Sequence, residues 1–155
     1  MKIRPFQIGD SEALAELFHS SVHQVGSLDY SSAQISVWSP QKPSASQYVE
    51  QASDGRIFLV AVDENDQPIG YGDLESSGHI DHLYCHPDFL GTGVGRAIYQ
   101  QLERLAKEQG MSCIYVEASE AARRLFERQG FLMAKRVEQM IDGVQIHNYE
   151  MTKNI

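Results

Sequence analysis

Residues 91–95 read Gly-Thr-Gly-Val-Gly, and no other stretch of the chain limits its fold as tightly. Before them, residues 79–85 read as a strand followed by a His86-Pro87-Asp88 turn. After them, Val94, Ala97, Ile98, Leu102, Leu105 and Ala106 recur at helical spacing as far as Gly110. A strand entering a helix through a bare-backbone loop presents free N–H groups at the positive end of the helix dipole, an arrangement that suits phosphate. Two phosphate loops are excluded by their letters. The P-loop needs a lysine after its last glycine, and the dinucleotide fingerprint needs a third glycine where this chain has Arg96 or Ile98.

Length and charge narrow the rest. A chain of 155 residues is expected to form one domain spanning 1–155 with a sizeable core. Thirteen basic against twenty-one acidic residues argue against nucleic acid or an anionic membrane as the partner and suit a cationic substrate. Cys85 and Cys113 show no metal or disulfide spacing, and no signal or membrane segment is evident. The expectation is a cytoplasmic protein with reduced thiols.

In order, the chain reads as a strand at 2–6 and a helix from Ser11 to about Val25, capped by Asp10 and stopped by Gly26. Two short helices follow, each opened by a Ser/Gln capping pair: Ser31 with Gln34, and Ser44 with Gln47. Strands are expected at 57–62, 69–75 and 79–85, then the helix after the glycine loop, a strand at 113–117 and a helix at 121–129. The Asp142-Gly143 pair joins strands 134–141 and 144–151 as a hairpin. The order β-α-α-α-β-β-β-α-β-α-β-β gives an α/β fold, a mixed sheet with helices on both faces.

This pattern resembles the GNAT superfamily of N-acetyltransferases over essentially the whole chain. Leu90-Gly91-Thr92-Gly93-Val94-Gly95 resembles the family's coenzyme A motif [Q/R]-x-x-G-x-[G/A], and Cys85-His86-Pro87 resembles its preceding strand end. Leu90 departs from the usual Gln or Arg and removes one polar contact. The resemblance implies strands four and five that splay apart to admit acetyl-CoA. It also implies a pyrophosphate held by the amides of Gly91, Thr92, Gly93, Val94, Gly95 and Arg96, with Arg96 as a possible charge contact. The main chain of Leu83, Tyr84 and Cys85 would pair with the pantetheine arm, and the Cys85 amide would face the thioester oxygen. No metal is implied.

Acetyl transfer to an amine also needs a base. The family often places one four or six residues before the position of Cys85, which gives Asp81 as first choice and His79 as second. Strand alternation would set His79, Asp81, Leu83 and Cys85 on one face. The thiolate acid of the family is a tyrosine in the pattern N-x-x-A-x-x-[L/F]-Y-x-x-x-G-F. Here Ser119 replaces the Asn and Phe126 the Tyr, while Ala122, Leu125, Gly130 and Phe131 match.

Tyr30 and Trp38 would overhang the acceptor as aromatic walls or else anchor their loop. Glu117 would add negative charge or stand as a solvated strand end. His19 and His23 lack the H-E-x-x-H glutamate, so no zinc site is expected, and no G-x-S-x-G elbow occurs.

The reading is an acetyl-CoA-dependent N-acetyltransferase that acts on the primary amine of a small molecule in a ternary complex. Its alternatives are a coenzyme A-binding module without turnover, suggested by Leu90 and Phe126, and an acetyltransferase of protein N-termini or lysines. The family resemblance allows a homodimer through the terminal strands.

Overall fold

The structure is a computed structural model that describes all of residues 1–155. Strands β1 (Lys2–Pro5), β2 (Ile57–Val62), β3 (Pro68–Leu74) and β4 (Leu83–Cys85) form one antiparallel sheet in that order. A second sheet is ordered β5 (Cys113–Ala118), β7 (Val144–Asn154), β6 (Leu132–Ile141). The helices are α1 (Ser11–Gln24), α2 (Ser32–Trp38), α3 (Ala45–Ala52), α4 (Val94–Glu108) and α5 (Glu120–Arg128). This is the expected element order and the mixed α/β class.

The two sheets touch only at one parallel bridge between His79 and Tyr115. There Ile80 N–H donates to the Tyr115 carbonyl and Tyr115 N–H to the Gly78 carbonyl. Glycine is needed at 78, because a Cβ would lie 2.5 Å from the Cys113 carbonyl oxygen and φ is +96°. Beyond the bridge, β4 stays with β3 while β5 pairs with β7, and a cleft opens between them.

The apolar stripe of α4 (Val94, Ile98, Leu102, Ala106) packs on one face with Ile114, Val116, Phe126 and Met151, all nearly free of solvent. On the other face, α1 and α3 bury Leu14, Leu17 and Tyr48 against Val60, Val62 and Tyr71. Each nonpolar side chain buried in this way contributes on the order of 1.5–3 kcal/mol.

Several local expectations are corrected. Asp10 does not cap α1: its carboxylate is held by the Arg4 guanidinium at 2.9 Å and by Gln7 N–H. Gly26 opens a short 3-10 turn instead of stopping α1, and it is small because Ile35 would lie 2.8 Å from a Cβ there. Ser31 and Gln34 form a full capping box, whereas the Ser44 side chain turns to Ser46 and leaves α3 without one. His19 and His23 both reach Ser39, at its hydroxyl and its carbonyl (2.8 Å each), and tie α1 to the loop after α2.

The largest correction concerns 79–85. Only Leu83–Cys85 is regular strand, because the buried Asp73 carboxylate intrudes on the ladder and takes His82 N–H (2.7 Å) and His82 Nδ1–H (2.9 Å). The bulge resets the alternation. Ile80, Leu83 and Cys85 now share the α4 side, while the Tyr84 ring packs edge-on to Phe18 on the α1 side.

Candidate active site

The cleft begins where β4 parts from β5. Asp73 N–H donates to the His82 carbonyl and His86 N–H to the Ile69 carbonyl, so Tyr84 falls at a hydrogen-bonded pair with Tyr71. Leu83 and Cys85 therefore turn their main-chain N–H and C=O away from β3 into the gap. A linear amide chain lying there would meet them as a neighbouring strand would.

Two cavities meet in this gap. One runs toward the glycine loop past Val22, Leu83, Cys85, Leu90, Gly95 and Leu125. The other, about 160 Å³, lies toward the terminal hairpin and is lined by Asp81, Glu117, Phe126 and Asn148 among others. Tyr30, Trp38, Leu83, Tyr84, Ser119 and Ala122 line both, so the two adjoin across a shared wall.

At the loop end, Gly93 has φ +92° and an added Cβ would meet nothing within 4 Å. The N–H groups of Gly91, Gly93, Val94 and Arg96 donate to no backbone acceptor. Arg96 is exposed and forms no ion pair, and Thr92 caps back onto the Phe89 carbonyl at 2.6 Å. A Cβ-free cradle of free amides beside an unpaired arginine fits a pyrophosphate.

At the hairpin end, the candidate bases are not equivalent. Asp81 lines the cavity, but its Oδ2 is 2.9 Å from Arg56, which also holds Asp54 and Asp73. His79 does not line the cavity. It stacks on Tyr115 and donates from Nδ1 to Glu75 (2.8 Å) and from Nε2 to Glu117 (2.5 Å). Burial alone would lower its pKa, but the two carboxylates outweigh burial and raise it, favouring the imidazolium. Glu117 lines the cavity with its carboxylate half exposed.

Burial pushes the Cys85 thiol up to about 11, which disfavours a thiolate nucleophile. Phe126 is 2 % exposed, in edge contact with Tyr99 and Phe131, and contributes to the cavity floor with no polar atom. Tyr30 is both wall and anchor: its hydroxyl donates to the His147 carbonyl (3.2 Å), accepts from Glu120 N–H (3.1 Å), and its ring meets Trp38 edge-on.

Sequence reasoning placed part of the acceptor wall on the terminal hairpin but named none of its residues, which are Gln139, Ile141, Ile146, His147 and Asn148. The Asp142-Gly143 turn carried the signal, since it fixes Gln139 opposite Ile146 and Val137 opposite Asn148.

Residues 27–153 match the family model of the acetyltransferase (GNAT) domain. The chain belongs to the GNAT family. It is 29% identical over 152 residues to the uncharacterized N-acetyltransferase YafP of Escherichia coli (strain K12), covering 97% of this chain and 94% of that one. The crystal structure of a GCN5-related N-acetyltransferase from Rhodopseudomonas palustris matches at TM-score 0.89 and 31% identity, over 99% of this chain and 95% of that one. YncA of Salmonella typhimurium, a putative acetyltransferase solved with its cofactor acetyl-CoA, matches at TM-score 0.76 and 21% identity over 99% and 93%, a likeness of fold. As a GNAT acetyltransferase, the protein is an acetyl-CoA-dependent acyltransferase.

Proposed function

We propose that this GNAT protein transfers the acetyl group of acetyl-CoA to the primary amine of a small molecule by direct attack in a ternary complex. The observation that carries this is the pair of adjoining cavities in the splay, one running toward a loop of free amides and the other a half-open cavity flanked by Asp81 and Glu117.

Bound acetyl-CoA supplies the activated acetyl group as a thioester. The free loop amides and Arg96 hold its pyrophosphate, and the outward main chain of Leu83 and Cys85 pairs with the pantetheine amides. The Cys85 N–H faces the carbonyl oxygen and stabilises the charge that grows on it during attack. Asp81, committed to Arg56, shapes and charges the cavity wall. Glu117 takes the ammonium proton, directly or through a water, while the His79 imidazolium holds the carboxylate in place. With Phe126 at the family's tyrosine position, the departing thiolate takes its proton from water.

The test is thiol release from acetyl-CoA with and without amines, combined with mass spectrometry of the protein after incubation with acetyl-CoA alone. The expected result is amine-dependent release and an unmodified protein. An acetylated Cys85, or release indifferent to amine, would sink the ternary mechanism.

A further inference from the structure

Of all buried side-chain nitrogen and oxygen atoms in the chain, one has no hydrogen-bond partner: Oδ1 of Asn148. Asn148 lines the acceptor cavity, with this oxygen turned out of solvent contact behind the wall. Buried polar groups are normally paired, and one left over at a site wall points to a partner that the protein itself does not supply.

The neighbourhood says what that partner is. Val137 lies opposite Asn148 and Gln139 opposite Ile146, so Gln139 and Asn148 are diagonal neighbours on one face of the hairpin. Both line the cavity, and neither side-chain amide bonds to any other side chain or backbone group there. A carboxamide donates from its nitrogen and accepts at its oxygen, and a hydroxyl does both. Two adjacent carboxamides therefore complement hydroxyl groups whichever way each amide is turned. Asp81 and Glu117 line the wall and no lysine or arginine does, while the wall's His147 is already engaged by Glu120 at 2.7 Å, so an acceptor carboxylate would meet like charge. Trp38 and Tyr30, set edge-on to each other, add apolar ring surface to the same cavity.

We propose that the acceptor is a hydroxylated amine without a carboxylate, an amino sugar or amino alcohol, whose hydroxyls are read by Asn148 and Gln139 while its amine is directed to Glu117. The inference rests on the acetyltransferase reading and names the substrate class of that site.

The experiment measures thiol release from acetyl-CoA with four acceptors: glucosamine, ethanolamine, propylamine and serine. The expected kcat/KM for a hydroxylated amine is at least about tenfold above that for propylamine, which lacks the hydroxyl, and above that for serine, whose carboxylate meets Asp81 and Glu117. Asn148→Leu and, separately, Gln139→Leu should each reduce the preference over propylamine to within about threefold, with the KM for acetyl-CoA unchanged. The Gln139 variant changes an exposed side chain, so it reports even if the Asn148 variant folds poorly. Equal rates with propylamine or serine, or a preference that survives both variants, overturns the substrate class alone. Absence of thiol release with every amine overturns the acetyltransferase reading, and this one with it.

Discussion

His79 Nε2 lies 2.5 Å from the Glu117 carboxylate, at the point where the two sheets part. The same ring is held from behind by Glu75 at 2.8 Å and stacked on Tyr115, so the imidazole is fixed on three sides. Nothing in this arrangement favours a free base. It favours an imidazolium that holds Glu117 at the cavity wall.

A titration follows from that geometry. The pKa of His79 is raised above 6.5 in the folded protein, so the stabilisation it provides is complete below about pH 6.5. That stabilisation is lost as pH rises through the folded value. The stability difference between wild type and His79→Gln should therefore shrink from pH 6 to pH 9. NMR of the ring protons should place the His79 midpoint above 6.5, and a midpoint below it would contradict the assignment.

The two carboxylates of the acceptor cavity should respond differently to neutralisation. Glu117→Gln is expected to lower kcat by roughly 10²–10⁴, the usual worth of a general base, with the KM for acetyl-CoA unchanged. Asp81→Asn loses one of three carboxylates around Arg56 and should lower kcat by less than about tenfold. Steady-state kinetics of the two variants decide this. The reverse order would return the base to Asp81.

Far from the site, Arg4 and Asp10 form a buried pair with both side chains under a tenth exposed. Asp10→Ala strands the guanidinium and should cost about 3 kcal/mol. For a chain of this length that corresponds to a drop of roughly 6–12 °C in the melting midpoint. A change of under about 2 °C would show that Asp66, which also bonds Arg4, already suffices.

Much of this architecture was legible in the sequence because it is written locally. Helical spacing after Gly93 and the two positive-φ residues of the Asp142-Gly143 turn determine their own elements. The glycine loop likewise marked where a run of backbone amides without backbone acceptors lies. The faces of residues 79–82 did not follow from simple alternation because a tertiary group, the buried Asp73 carboxylate, takes the His82 N–H where the regular strand ends. The partners of Asp81 and His79 were equally hidden, since Arg56, just before β2, and Glu117, in β5, lie 25 and 38 residues away in sequence. The hairpin wall was within reach, because a two-residue turn fixes which residues share a face.

The most direct measurement is a thermal-shift titration with acetyl-CoA, free coenzyme A and NAD, on wild type and on Gly93→Glu. A ligand at 100 times its dissociation constant adds about 2.7 kcal/mol of stability. The prediction is an upward shift of the wild type with both coenzyme A forms and none with NAD. In Gly93→Glu, bulk and negative charge fill the space above the loop amides, and the shift should vanish. A wild type that ignores acetyl-CoA at millimolar concentration, or a Gly93→Glu protein that binds it equally well, would contradict the placement of the cofactor in the cleft between β4 and β5.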